Sequence, residues 1–254
     1  MMDKQWLRLP GWGFSDAVWK PLAPVFSNLA GLDVNWEELA SPEDITAFAE
    51  AALKAALANG KDSGLIVVGW SLGAIAAMEL AIAFPEMVDR LILIAPTASF
   101  VKRADSDPGW DDRVLRRMQK RLAKDAAGTL ADFTKNMFSE AESIEGRLGD
   151  LLPAVKEAMS TDSPVSLAKG LDYLREKNLR DRLEEIRQPI LLIHGKDDAI
   201  CPVQASREIA DHVSGPAELV ELDEAGHLPF YTEQAACIDA IQGFIMRPLG
   251  GKDT

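Results

Sequence analysis

Cysteine is scarce in this chain: two of 254 residues, Cys201 and Cys237, with no C-x-x-C pair between them. That leaves no disulfide framework and predicts a reduced, cytoplasmic setting in which both thiols are packing residues. Histidine is almost as rare, limited to His194, His212 and His227. No H-E-x-x-H and no clustered His/Cys spacing occurs, so no metal is expected. No cofactor is expected either, because Gly11-Trp12-Gly13 is far too short for a dinucleotide fingerprint. Long apolar runs are missing: none approaches the roughly 18 residues of a spanning helix. The opening MMDKQWLRLPGWG has no secretory hydrophobic region. Positive charge is short as well. With 27 Lys and Arg against 40 Asp and Glu, the formal charge is −13. This argues against nonspecific nucleic-acid binding and gives no attraction to an anionic membrane.

What is present is a hydrophobic content of 47%, enough for a substantial core in one α/β domain with room for an inserted subdomain. Its most informative stretch is Val67-Val68-Gly69-Trp70-Ser71-Leu72-Gly73. Leu65 to Val68 is a short β-branched run that reads as a buried strand. Ala74 to Phe84, polar only at Glu79, reads as a buried helix. Between them G-x-S-x-G fits a nucleophile elbow, in which flanking glycines relieve crowding around a strained serine.

Strand and helix signals alternate on both sides of this elbow. Trp6 to Leu9, Gly31 to Trp36, Arg90 to Ala95, Ile190 to His194 and Glu218 to Leu222 read as further strands. Ser41, Pro42 and Asp44 supply an N-cap, an N1 proline and an N3 carboxylate for a helix running to about Asn59. Gln204 to His212 and Glu233 to Met246 read as helices. From about Ser99 to Arg187 the texture is amphipathic helix with no convincing β-branched run. The pattern predicts a mostly parallel sheet of about six strands, with residues 1–98 and 188–254 as core and 99–187 as a helical cap.

Serine needs a base held in one tautomer. His227, in Glu224-Ala225-Gly226-His227-Leu228-Pro229-Phe230, follows the last strand, where a loop returns over the sheet edge, and is the expected base. His194 ends a hydrophobic strand and reads as a packed or hydrogen-bonded core residue. His212 lies near a helix C-terminus and reads as a surface, dipole-compensating one. The acid belongs between serine and histidine in chain order. Asp197 and Asp198 both qualify, and local spacing does not separate them. Two oxyanion donors are expected: Leu72 N–H at the start of the elbow helix, and Trp12 N–H in the glycine-flanked turn after the first strand. The side chains of Trp12 and Trp70 are expected to shape an apolar acyl channel.

At these residues the chain resembles the α/β-hydrolase fold superfamily over nearly its whole length. Within it, Leu9-Pro10-Gly11-Trp12-Gly13-Phe14 followed by Val18-Trp19, together with Gly69-Trp70-Ser71-Leu72-Gly73, resembles the pimeloyl-[acyl-carrier protein] methyl ester esterase family of biotin synthesis. The resemblance implies a triad of Ser71, Asp198 and His227, with oxyanion donors at Trp12 and Leu72. It also implies hydrolysis of a methyl ester on a long acyl chain carried by an acidic acyl carrier protein. Family members hold that carrier with basic residues of a helical cap. Taking about 100° per residue, Arg113, Arg116, Arg117, Lys120, Arg121 and Lys124 share one arc, opposite Leu115, Met118, Leu122 and Ala126. By itself that stripe reads as a solvated face or as a docking surface for an acidic partner. The resemblance favours docking.

The chain departs from the family pattern in four places. The hairpin before the first strand is absent or much reduced, and Pro10 stands where histidine is usual. Val34-Asn35-Trp36 runs into Glu37 and Glu38 without a glycine-rich loop, and Ala74 replaces a second glycine after the elbow. The triad is left complete. The rival expectations are a general carboxylesterase or thioesterase with no carrier dependence, and a noncatalytic binding protein on the same fold.

Overall fold

A computed structural model describes residues 5–26, 31–33, 36, 39–59, 65–144 and 146–248. The chain begins with β1 (Gln5–Leu9), a 3-10 helix over Asp16–Leu22, α1 (Ala23–Phe26) and β2 (Gly31–Asp33). Then come α2 (Glu43–Asn59), β3 (Leu65–Trp70), α3 (Leu72–Ala83) and β4 (Val88–Ile94). Five helices follow without a sheet strand among them: α4 (Asp112–Leu122), α5 (Ala126–Lys135), α6 (Glu140–Ile144), α7 (Arg147–Glu157) and α8 (Pro164–Glu176). The chain closes with β5 (Ile190–Gly195), α9 (Gln204–His212), β6 (Ala217–Leu222), α10 (Pro229–Thr232) and α11 (Gln234–Met246).

The six strands form one parallel sheet in the order β2-β1-β3-β4-β5-β6. Every residue of β3 and β5 is buried, which is why both read as unbroken apolar runs rather than alternating ones. Edge strand β6 has no fully buried residue and carries Glu218 and Glu221. Because β1 pairs β2 on one side and β3 on the other, the chain reverses direction across the sheet between β1 and β3. The C-terminal ends of these two strands are therefore a topological switch point, where open α/β sheets leave a crevice. Ser71 follows β3 and Trp12 follows β1, so both stand at that crevice.

Helix α2 starts at Glu43, one residue past the expected Pro42, with Asp44 Oδ2 accepting the Ala40 and Ser41 amides at 2.7 and 2.6 Å. Of the strand expected over Gly31 to Trp36, Gly31–Asp33 is strand and Trp36 is not. Val34, Asn35, Glu37 and Glu38 lie outside the described residues, as do residues 1–4, on which the expectation of a reduced hairpin bears. The basic arc also needs correction. Helix α4 stops at Leu122 because Asp125 caps the next helix, Oδ1 accepting Gly128 N–H at 2.9 Å. Lys124 consequently sits in the turn and Ala126 opens α5, so the arc ends at Arg121.

The one carboxylate of the elbow helix, Glu79, ties three elements together. Tyr173 Oη and Thr46 Oγ1 donate to its Oε2 at 2.6 and 2.8 Å, and Lys177 Nζ lies 2.5 Å from Oε1. Desolvation, followed by the Glu79 charge, pushes the fully buried Tyr173 phenol up from its ordinary value. Thus α3, α2 and the end of α8 share one polar knot.

Candidate active site

Ser71 turns the chain from β3 into α3 with φ 56° and ψ −117°. A left-handed φ on a residue with a side chain is strained by about 1–3 kcal/mol and persists only where its surroundings impose it. Here the surroundings do. A Cβ on Gly69 would stand 2.4 Å from Gly73 O, and one on Gly73 would stand 2.0 Å from Leu9 O. Only glycine permits this approach of helix to strand. Ser71 N–H donates to Ile94 O at 3.1 Å, and Ala74 N–H to Ser71 O at 2.9 Å.

Of the two aspartates after β5, Asp197 is exposed and Asp198 is buried. Asp198 Oδ1 accepts the Ile200 and Cys201 amides at 2.8 and 2.9 Å. Its Oδ2 lies 2.7 Å from His227 Nδ1. Burial alone would raise this carboxyl; the charge and hydrogen bonds of His227 and His194 outweigh it and hold the group well below the usual carboxylate range. An ionised acceptor on Nδ1 fixes the proton there and leaves Nε2 of the neutral ring as an acceptor. That Nε2 is buried and has no hydrogen-bond partner among the described residues. The ring packs on Trp70, the neighbour of Ser71, at 5.5 Å between centroids, and Trp70 Nε1 donates to His227 O at 2.9 Å. The structure thereby pairs Asp198 with His227 and packs the ring on the neighbour of Ser71, with no hydrogen bond between Ser71 Oγ and Nε2.

His194 is the hydrogen-bonded core residue expected, with one contact that the sequence did not suggest. Its Nε2 lies 2.7 Å from Cys201 O and 3.2 Å from Asp198 Oδ2, and its Nδ1 2.6 Å from Ser206 Oγ. A carbonyl only accepts, so Nε2–H points at Cys201 and the acid, and Nδ1 pairs with the Ser206 hydroxyl. His212 is exposed at the end of α9, with Nδ1 2.8 Å from Glu208 O. Cys201 and Cys237 are both buried. Desolvation and then the Asp198 charge push the Cys201 thiol well up, and burial pushes Cys237 up to about 12. Neither is suited to act as a thiolate.

The turn after β1 closes with Phe14 N–H on Gly11 O at 3.2 Å and a left-handed φ of 75° at Gly13. Trp12 N–H, at the second position of the turn, is not used by that bond. Leu72 N–H belongs to the first turn of α3, whose amides have no partner within the helix. The residues between β4 and β5 hold the Trp12 turn closely. Trp12 Nε1 donates to Leu167 O at 2.8 Å, and Ser160 N–H donates to Gly13 O at 3.0 Å. A Cβ on Gly170 of α8 would meet Trp12 Cδ1 at 2.5 Å. The indole also meets Phe133 of α5 edge-on at 5.1 Å. Trp70 differs from the channel-lining role expected of it. Its ring is fully buried against Gly11, Phe14, Phe230 and His227, where it supports the histidine from below.

Sequence reasoning missed the grip on the histidine loop. His227 N–H donates to Met137 O at 2.6 Å, Ser139 Oγ to Glu224 O at 2.5 Å, and Gly226 N–H to Glu142 Oε1 at 3.2 Å. The only sequence signal was Ser139-x-x-Glu142, a capping-box spacing that marks a helix start and says nothing of a distant loop.

On the basic arc, Arg113 pairs with Asp111, Arg116 with Asp112 and Arg121 with Asp132. Arg117, Lys120 and Lys124 are exposed and enter no ion pair among the described residues. No group of three or more His, Cys, Asp or Glu among the described residues is placed to hold a metal ion. No described helix is long and apolar enough to cross a membrane.

A strand-borne serine elbow at the switch point of a parallel sheet, with an aspartate–histidine pair packed on its neighbouring tryptophan, defines a class: the chain belongs to the alpha/beta hydrolase family, whose model matches residues 7–240. Its relatives are more particular. A pimeloyl-[acyl-carrier protein] methyl ester esterase from Nitrosomonas europaea is 32% identical over 92% of this chain and 93% of its own length. Proteins of the same name from Aromatoleum aromaticum and Vibrio cholerae are each 30% identical, over 93% of this chain and 96% and 92% of theirs. Among solved structures, an enol-lactonase from Burkholderia xenovorans superposes with a TM-score of 0.80 at 18% identity, covering 97% of this chain and 93% of that one. An esterase from Exiguobacterium antarcticum superposes with a TM-score of 0.78 at 19% identity, covering 96% and 92%. These two likenesses show the fold.

Proposed function

We propose that this hydrolase is a serine carboxylesterase that removes the methyl group from a methyl-esterified acyl chain presented on acyl carrier protein, as the names of its relatives describe. Residues 99–187 serve as the cap over the site. The observation that carries the reading is the buried Asp198–His227 pair, whose imidazole, with Nε2 unbonded, packs on the residue preceding Ser71.

Ser71 Oγ attacks the ester carbonyl carbon as its proton passes to His227 Nε2. The oxyanion is received by Trp12 N–H and Leu72 N–H, each such donor being worth about 3 kcal/mol in the transition state. Collapse expels methoxide, which takes the proton from His227 and leaves as methanol. Water then attacks the acyl-enzyme, with His227 accepting its proton and returning one to Ser71 Oγ, and the free carboxylate departs. Asp198 stays ionised throughout, orienting the ring and stabilising its protonated form. The exposed cations Arg117, Lys120 and Lys124, with Arg113, Arg116 and Arg121 beside them, give a strongly acidic enzyme one surface on which an acidic carrier can land.

Intact-mass measurement on pimeloyl-carrier methyl ester tests the reading. The wild-type enzyme should remove one methylene equivalent from the substrate, and Ser71→Ala should remove nothing. Loss of the whole acyl group would make the enzyme a thioesterase. An unchanged substrate beside turnover of a simple short-chain ester would make it a general carboxylesterase. Turnover by Ser71→Ala equal to wild type would refute the nucleophile.

A further inference from the structure

We propose that Glu142 is a positioning residue for His227, its buried carboxylate joining the first turn of α6 to the loop that carries the imidazole. The proposal rests on reading His227 as the general base. Glu142 is only 2% exposed, so both of its carboxylate oxygens need donors. Oε2 accepts Ser139 N–H at 2.7 Å while Ser139 Oγ accepts Glu142 N–H at 3.1 Å, a reciprocal capping box. A capping box uses one carboxylate oxygen. Here the second, Oε1, accepts Gly226 N–H from a segment 84 residues away.

The same box reaches the loop twice more. Ser139 Oγ donates its own proton to Glu224 O, and Met137 O, two residues before the box, accepts His227 N–H. Glu224 has φ 60° without being glycine, a conformation that relaxes unless it is held. Gly226 lies so close to the box that a Cβ on it would stand 2.3 Å from Met137 O and 2.8 Å from Ser139 N. Three successive polar anchors therefore fix the backbone of the loop from one side. Trp70 holds the His227 carbonyl from the other, and Asp198 holds the ring. Removing the Glu142 anchor leaves the ring bonded to the acid and His227 held by Met137 and Trp70, but loosens the loop backbone at Gly226, next to the imidazole.

Glutamine is the discriminating replacement. Glu142 receives N–H groups on both oxygens, whereas an amide has one acceptor oxygen and presents an NH2 to the other donor. Shape is kept and one anchor is broken. With active sites counted by fluorophosphonate titration, Glu142→Gln should lower kcat per site about tenfold to a hundredfold, as displacements near 1 Å do. KM for a small methyl ester should stay within about twofold, since ground-state binding is untouched. The downfield Nδ1 proton resonance of His227 should move or broaden, and the pH profile of kcat/KM should shift with it. A role in stability alone would lower Tm while leaving kcat per titrated site, the resonance and the profile as in wild type; that result overturns the proposal. If Glu142→Gln does not fold, Ser139→Ala decides by the same readouts, because it keeps the carboxylate and removes the anchor on Glu224. Full activity in Ser71→Ala or His227→Ala would instead sink the triad reading. An inactive Ser71→Ala beside a Glu142→Gln indistinguishable from wild type would sink this proposal alone.

Discussion

The serine elbow and the histidine loop solve the same problem with different parts of the chain. Each contains a residue with a side chain at left-handed φ, Ser71 at 56° and Glu224 at 60°. The elbow is fixed by the sheet and its first covering helix: Gly73 against Leu9 O, and Ser71 N–H on Ile94 O. The histidine loop is fixed largely by Met137, Ser139 and Glu142, which belong to the segment between β4 and β5. The Trp12 turn is likewise held from α8 and from Ser160. The Ser71 turn is thus shaped by the sheet together with α3. The His227 loop and the Trp12 turn take additional anchors from the segment between β4 and β5.

The largest test of this contrast is Asp198→Asn. It leaves both the elbow and the loop anchors in place but presents an amide to His227 Nδ1, favouring the wrong tautomer. We expect kcat to fall about 10^4-fold, measured on a chromogenic ester, with Ser71 still slowly labelled. The acid side supplies a second readout. Because the folded Asp198 carboxyl is depressed, its contribution to stability is complete above the unfolded value of about 3.9 and disappears as pH falls toward the lower folded value. Urea unfolding of the Asn protein should accordingly decline less steeply with acid than wild type.

Next in size is a paired glycine experiment. Gly73→Ala forces a methyl group into Leu9 O and should destabilise the whole protein by about 3 kcal/mol, read by denaturant unfolding. Gly226→Ala meets Met137 O instead and should lower kcat per titrated site more than it lowers global stability. Equal losses of stability from both would erase the distinction between core-held and segment-held sites. The smallest expected effect concerns the outer surface of the same segment. Reversing Arg117, Lys120 and Lys124 to Glu should raise KM for the carrier-linked ester on the order of tenfold, salt-dependently, and leave turnover of a free short-chain methyl ester within twofold. A comparable loss on both substrates would remove the carrier from the argument.

The sequence revealed the elements whose signals are local. Strands β3, β4 and β5 are covered on both faces and therefore announce themselves as apolar runs. The elbow is a short spacing pattern set between two such signals. Asp198 could be preferred to Asp197 only through family likeness, because burial depends on how the β5 loop folds over Cys201. The contact of His194 with the acid was hidden for a similar reason: it depends on a loop returning to the end of its own strand. Lys124 was misplaced because the stop after Leu122 is set by Asp125 capping the next helix, a signal easily lost within a basic amphipathic run. Trp70 was read as facing substrate, although the elbow geometry turns its ring inward beneath His227. Glu142 lay beyond reach, since nothing near Ser139 names the loop it clamps.

The knot at Glu79 bears on which part of the segment between β4 and β5 is fastened to the core. Its carboxylate sits on the helix that begins at Ser71, and its partners Tyr173 and Lys177 lie at the far end of α8. Prying that end loose would strand a nearly buried anion, at a cost of about 3–5 kcal/mol for a broken buried pair. That end of α8 is therefore riveted to the helix that begins at Ser71, and displacing it means breaking the knot first.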